Sequence, residues 1–198
     1  LQTVAGEYGG LIAASDDSIF YISGAALRRS SHDGTVDAEY QLDDHHFHSP
    51  VLAPGGLLFC VLYNEDDMGD WDEDLGRPTP VTTNEIAALD AQTLQLRHRF
   101  GLGLFKDAGQ LVVAGDELYA CDAGNHRLQV FSFTGEHRRS ITGEWRSPVA
   151  LCCVKGRLYL VERPHPAFPL QGSRLLVLSL QGDLLQVVTH PTEPRAVF

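Results

Sequence analysis

The chain has 198 residues, 26 acidic and 15 basic, a net charge of −11 at pH 7, and 43% hydrophobic residues. That size and apolar content fit one folded domain spanning 1–198 and exclude a disordered tail. No run approaches the roughly 18 uncharged apolar residues of a membrane span, and the charge opposes attraction to nucleic acid or anionic lipid.

In chain order, Leu1–Gly6 reads as a strand of the kind that closes a repeat unit. No basic segment leads into an apolar stretch with a small-residue cleavage site, so no secretory signal is read. A first unit, about 10–40, turns at Asp17-Ser18 into Ile19-Phe20-Tyr21-Ile22 and carries Arg28-Arg29. An irregular connection, 41–49, follows and holds Asp43-Asp44-His45-His46-Phe47-His48. In extended backbone His46 and His48 project to one side, the start of a transition-metal site that still lacks ligands; histidines on a surface loop are the plainer expectation.

The second unit, about 50–100, opens with Val51-Leu52-Ala53 and Leu57–Leu62 and is interrupted by an insertion at 63–83. Within it, Glu65, Asp66, Asp67, Asp70, Asp72, Glu73 and Asp74 make seven acidic residues in ten, with Trp71 among them. Such a run is a solvated loop, or an acidic hook that docks on a basic partner surface with Trp71 as anchor. Asp70, Asp72 and Asp74 alternate as calcium ligands do, but the EF-hand positions for Gly and Glu fall on Leu75 and Val81.

The third unit, 110–141, reads strand by strand as Gln110–Ala114 (a), Glu117–Cys121 (b), Arg127–Phe133 (c) and His137–Ile141 (d). The fourth, 147–188, has a long Pro-rich connection, 163–172, in which His165 and Phe168 are further candidate partner contacts. Pro194–Phe198 reads as the first strand of another unit. Cys60, Cys121, Cys152 and Cys153 lack CxxC spacing and sit in apolar runs, so buried free thiols in a reducing, intracellular setting are expected. Adjacent Arg28-Arg29 and Arg138-Arg139 are expected to bind carboxylates of neighbouring units.

A period links these units. Phe20, Phe59, Tyr119 and Tyr159 each follow a turn and lie 39, 60 and 40 residues apart. Setting aside about 20 residues of the insertion restores a spacing near 40, the length of a four-stranded β-propeller blade. The expected fold is therefore all-β.

Between b and c of the third unit runs Asp122-Ala123-Gly124-Asn125-His126-Arg127-Leu128-Gln129-Val130-Phe131, followed by Thr134-Gly135. This stretch resembles the NHL-repeat family, whose blades carry Asp-x-x-Asn-x-Arg-hydrophobic-x-x-aromatic and then a Gly turn. In that light Asp122, Asn125, Arg127 and Phe131 are structural, Glu162 and Arg174 are their fourth-blade counterparts, and the first blade keeps Arg28. The resemblance implies about six blades, whereas this chain supplies four plus the flanking strands 1–6 and 194–198. A ring completed by further chain or another subunit is expected, with closure by the terminal strands as the alternative.

Strand alternation puts the b–c and d–a connections (41–49, 63–83, 122–126 and 163–172) on one face. A non-catalytic protein-interaction scaffold without a cofactor, acting within a larger assembly, is the function expected. The alternative is a metal-dependent lyase or lactonase, as found among resembling propellers, with its site in the central channel. The apolar inner strands, such as Leu111-Val112-Val113-Ala114, and the absence of a nucleophile motif favour the scaffold. RNA binding, known for some members of the family, is opposed by the charge.

Overall fold

The computed structural model describes residues 12–64, 71–72, 77–78, 84–162 and 174–188. The strand readings at 1–6 and 194–198 lie outside these residues, as does closure of a ring through them.

The described chain forms four four-stranded antiparallel sheets. The first contains β1 (Ile12–Ala14), β2 (Ile19–Ser23), β3 (Ala26–Ser30) and β4 (Val36–Tyr40). In the second, β5 (His45–Ala53) and β6 (Leu57–Asn64) are followed by a separate two-stranded ladder, β7 (Trp71–Asp72) with β8 (Arg77–Pro78); β9 (Glu85–Asp90) and β10 (Leu96–Phe100) then complete the sheet. The third holds β11 (Ala108–Ala114), β12 (Glu117–Asp122), β13 (Arg127–Ser132) and β14 (His137–Thr142). The fourth holds β15 (Pro148–Val154), β16 (Arg157–Glu162), β17 (Leu175–Leu178) and β18 (Leu184–Val188).

The middle strands of the second and third sheets are apolar on both sides because each of these sheets is sandwiched between two others. In β12, Leu118 and Ala120 pack with Phe59, Val61, Ile86 and Ala88 of the second sheet, while Tyr119 and Cys121 pack with Leu158, Leu160, Leu176 and Leu178 of the fourth. A third cluster joins Phe20 and Leu27 of the first sheet to Leu58, Cys60, Leu62 and Leu89 of the second. Successive first strands lie side by side, β1 by β5, β5 by β11 and β11 by β15. The sheets therefore radiate from an axis lined by their first strands.

In the third and fourth sheets the turn between third and fourth strands presses on the preceding sheet. Gly135 (φ 87°) stacks on Phe100, and Gly182 (φ 97°) on Ile141; a Cβ there would lie 2.7 Å and 2.1 Å from those side chains. The corresponding position of the second sheet is Leu94, also left-handed (φ 59°) and fully buried.

Several expectations need correction. Residues 45–49 do not belong to an irregular connection; they begin β5, with a bulge between His48 and Val51. Cys60 and Cys121 are buried, but Cys152 is exposed and Cys153 half-buried, because both lie on the first strand of the last described sheet. The paired arginines find carboxylates on their own sheet: Arg28 bonds Glu39 at 2.7 Å, Arg29 bonds Asp37 at 2.7 Å, and Arg139 bonds Glu117. They reach the next sheet through carbonyls, Arg29 to Gln92 and Arg139 to Leu180. The first strands are also less uniformly apolar than expected: Gln110 of β11 accepts the Leu151 amide of β15 at 3.0 Å, and His48 of β5 is exposed.

Candidate interaction interface

Register fixes which connections share an end. Ala108, Asp122, Arg127 and Thr142 are neighbours across the third sheet, so the start of the first strand, the b–c turn and the end of the fourth strand meet there. At this end the buried Asp122 carboxylate accepts from the Lys106 amide (2.8 Å), Asn125 Nδ2 (2.9 Å), Arg127 Nε (2.7 Å) and Gln129 Nε2 (3.0 Å). Arg127 Nη2 and Gln129 Nε2 also donate to the Leu104 carbonyl. One carboxylate thus ties the incoming linker, the b–c turn and the third strand together. Charge-assisted bonds of this kind are stronger than neutral ones, and saturating the acceptor offsets the cost of burying it.

The b–c turn rests directly on that linker. The Gly124 amide donates to the Lys106 carbonyl at 2.7 Å, and a Cβ on Gly124 would lie 2.7 Å from the same oxygen. Asn125 is followed by His126 in the left-handed region (φ 57°), which turns the chain into β13.

The fourth sheet repeats the arrangement forty residues on. Glu162 accepts from the Arg146 amide at 3.0 Å and from Arg174 through Nε and Nη2, and Arg174 also reaches the Glu144 carbonyl at 2.8 Å. Burial alone would raise the Glu162 carboxyl pKa, but the Arg174 and Arg146 hydrogen bonds outweigh it and hold the group below its ordinary value. Two acceptors tie neighbouring sheets together at this end: Asn84 Oδ1 takes the Ala108 amide at 2.9 Å, and His126 Nδ1 takes the Ser147 amide at 3.0 Å. The linker positions Leu104, Lys106, Glu144 and Arg146 were not picked out from sequence, although the forty-residue offset between the two pairs was there to find.

Among the described residues the first and second sheets show no such clasp. Ala26, paired with Ser23, stands where Arg127 pairs with Asp122, so Arg28 lies two residues beyond the clasp position and turns to Glu39 instead. In the second sheet Glu85 opens the third strand and bonds Arg99 at 3.0 Å, with His45 Nε2 at 3.8 Å. His45 Nδ1 lies 2.6 Å from Asp44, whose carboxyl it holds below the usual range.

No protein-family model and no curated protein sequence matches the chain. Among solved structures, the WD40 β-propeller domain of Doa1 matches with TM-score 0.63 and 12% identity, over 91% of this chain and 53% of that one. The chain folds as a β-propeller. A nidogen/laminin complex matches with TM-score 0.65 and 17% identity over 90% of this chain and 62% of the other. A protein of unknown function from Bacteroides caccae matches with TM-score 0.63 and 11% identity, over 92% and 62%. The chain spans less than two thirds of the length of each, and at these identities the likeness is one of fold.

The predicted site residues fall on this propeller unevenly. Asp122, Asn125 and Arg127 converge in one clasp, Glu162 and Arg174 in another, and Phe131 packs between the second and third blades against Phe100 and Phe105. Glu65, Asp66, Asp67, Asp70, Glu73, Asp74, His165 and Phe168 lie outside the described residues. Trp71 and Asp72 form one strand of the small ladder, opposite Pro78 and Arg77. The ring of His46 stacks on Tyr63, with centroids 5.4 Å apart, and His48 Nδ1 lies 2.7 Å from Ser49 Oγ. Burial by neighbouring protein lowers the His48 pKa, opposed by Asp107, although the residue keeps exposed surface. Among the described residues no three His, Cys, Asp or Glu side chains are grouped as a metal ion requires.

Proposed function

We propose that this propeller is of the NHL type and serves as a non-catalytic protein-interaction scaffold within a larger assembly, binding through the face that carries the b–c and d–a connections. The observation that carries this reading is the pair of clasps at that end of blades three and four. They fix each linker against its b–c turn before a partner arrives, so association does not have to order the underlying surface. The NHL assignment rests on Asp122, Asn125 and Arg127 sharing one network in the spacing of that repeat.

The partner surface is basic, complementary to the seven acidic residues of 65–74, with Trp71 as the apolar anchor. His165 and Phe168, between β16 and β17 in sequence, are further partner contacts in this reading.

Affinity capture followed by mass spectrometry tests this with three baits. They are the native chain, a chain with the seven acids of 65–74 changed to Asn or Gln, and Lys155→Gln, which alters an exposed turn at the opposite end. Proteins held by the native and Lys155→Gln baits at low salt, but lost from the neutralised bait and from all baits at high salt, are the expected result. Equal capture by all three baits overturns the proposal.

A further inference from the structure

In each of the four-stranded sheets the fourth strand is an outer edge, hydrogen-bonded within the sheet to the third strand alone. Such edges pair readily with another strand, and charged side chains are a common guard against it. Among the described sheets, the first three are guarded in this way. β4 carries Asp37 and Glu39, β10 carries Arg97 and Arg99, and β14 carries Arg138 and Arg139, each pair of one sign. Laid antiparallel on a copy of itself, each of these strands brings like charges together, which is destabilising. β18 differs: Leu184-Leu185-Gln186-Val187-Val188 has no charge, and all five residues are exposed.

This exposure is not only that of the open side of the fourth sheet. Residues directly opposite each other in a ladder point to the same side. Val187 stands opposite Leu176 and Leu184 opposite Leu178, and both of those leucines pack towards blade three. Leu184 (51% exposed) and Val187 (36%) therefore project on a side that a blade already occupies, and they stay uncovered because they lie at the circumference. In blade three the equivalent residues are His137, opposite Phe131, and Ser140, opposite Gln129. Both are polar, and both bond Gln129 Oε1, at 2.8 Å and 2.7 Å.

We infer that the β18 edge pairs with the β18 edge of a second copy of this chain, antiparallel about a two-fold axis, joining two fourth blades into one continuous sheet. Self-complementarity identifies the occupant. In whatever register the two strands meet, aliphatic side chains face one another or Gln186, and no like charges oppose. Each chain uses the edge once, so the pair closes as a dimer rather than growing. The contact lies on the rim and leaves the loop face free, so it goes beyond the scaffold reading and does not rest on it. Each chain carries a net charge of −11, so long-range repulsion opposes the dimer and salt relieves it. That is the reverse of the salt dependence expected at residues 65–74. A single short edge buries less than the roughly 1,200 Å² of a standard interface, which places dissociation at about 10–100 μM.

Sedimentation equilibrium of the 198-residue chain, from about 5 to 500 μM, tests this. The average mass should climb from 21.7 kDa towards twice that value, at high salt at least as readily as at low. Leu185→Arg and Gln186→Arg install the residues that blade three carries at the same register positions, Arg138 and Arg139, so the fold accommodates them. Each should weaken the dimer by about tenfold or more, because the two-fold axis counts every added charge twice, with circular dichroism and Tm unchanged. Hydrogen exchange locates the contact: amides of β18 should gain protection as concentration rises, and those of β4, β10 and β14 should not. A chain that stays at monomer mass throughout overturns the inference. So does a dimer that both substitutions leave intact, a dimer that salt dissolves, or a mass that passes beyond the dimer. Neutralising the acids of 65–74 should leave this dimer intact, so failure of the loop-face proposal and failure of this one are separable.

Discussion

Asp122 is the side chain on which most of the described interface depends. It is fully buried, and its donors come from the linker, the b–c turn and β13. Asp122→Ala strands Arg127 and the Lys106 amide together, and should lower unfolding free energy by about 3 kcal/mol in urea titrations. Asp122→Asn keeps an acceptor for the Lys106 amide and should lose roughly half as much. At the opposite end of the blade, Glu117 is held down to about 2 by Arg139 hydrogen bonds, with help from Tyr119 and Arg138, against an ordinary value of 4.5. A folded pKa below the unfolded one gives stability that is complete above about pH 4.5 and drains away as pH falls towards 2. After allowance for solvent around Arg138 and Arg139, the contribution is about 2 kcal/mol. Denaturation midpoints measured from pH 6 to pH 2.5 should fall more steeply in the native protein than in Glu117→Gln.

Strands were legible because local pattern and tertiary role agree in them. Leu57–Leu62 and Leu118–Cys121 are continuous apolar runs, and both become strands covered on two sides. Residues 45–49 were misread as a connection because three histidines and two preceding aspartates look like a polar loop. Pairing of His45 with Asn64 and His46 with Tyr63 overrides that composition. Arg28 was misplaced for a similar reason: position in a degenerate motif suggested a clasp, whereas ladder register set Ala26 there. The c–d turns of the third and fourth sheets are closely packed on the preceding sheet. Gly135→Ala should cost about 1–2 kcal/mol from its positive φ, and more from the Cβ that would meet Phe100 at 2.7 Å. Thermal melts of Gly135→Ala and of Gly115→Ala separate the two terms, since Gly115 has positive φ (64°) and open space around its Cβ position.

Across the whole molecule, burial is graded rather than uniform. β12 and β13 are covered by sheets on both sides, whereas every residue of β18 is exposed. Native-state hydrogen exchange should therefore find amides of β12 and β13 opening with the global free energy, and those of β18 opening well below it. Uniform protection through β18 in the isolated chain would contradict that gradient. The number of sheets and their forty-residue spacing follow from the sequence alone, since turn residues and strand periodicity are local properties repeated along the chain. So does the Asp122–Arg127 motif, whose members lie within a few residues of one another. What the tertiary structure decided is everything that joins distant residues: Leu104 and Lys106 as clasp partners, Arg139 reaching Leu180, and Cys152 turned outward. Those depend on which sheet stands beside which, and the identity of a neighbouring sheet is not written in the local pattern of either one.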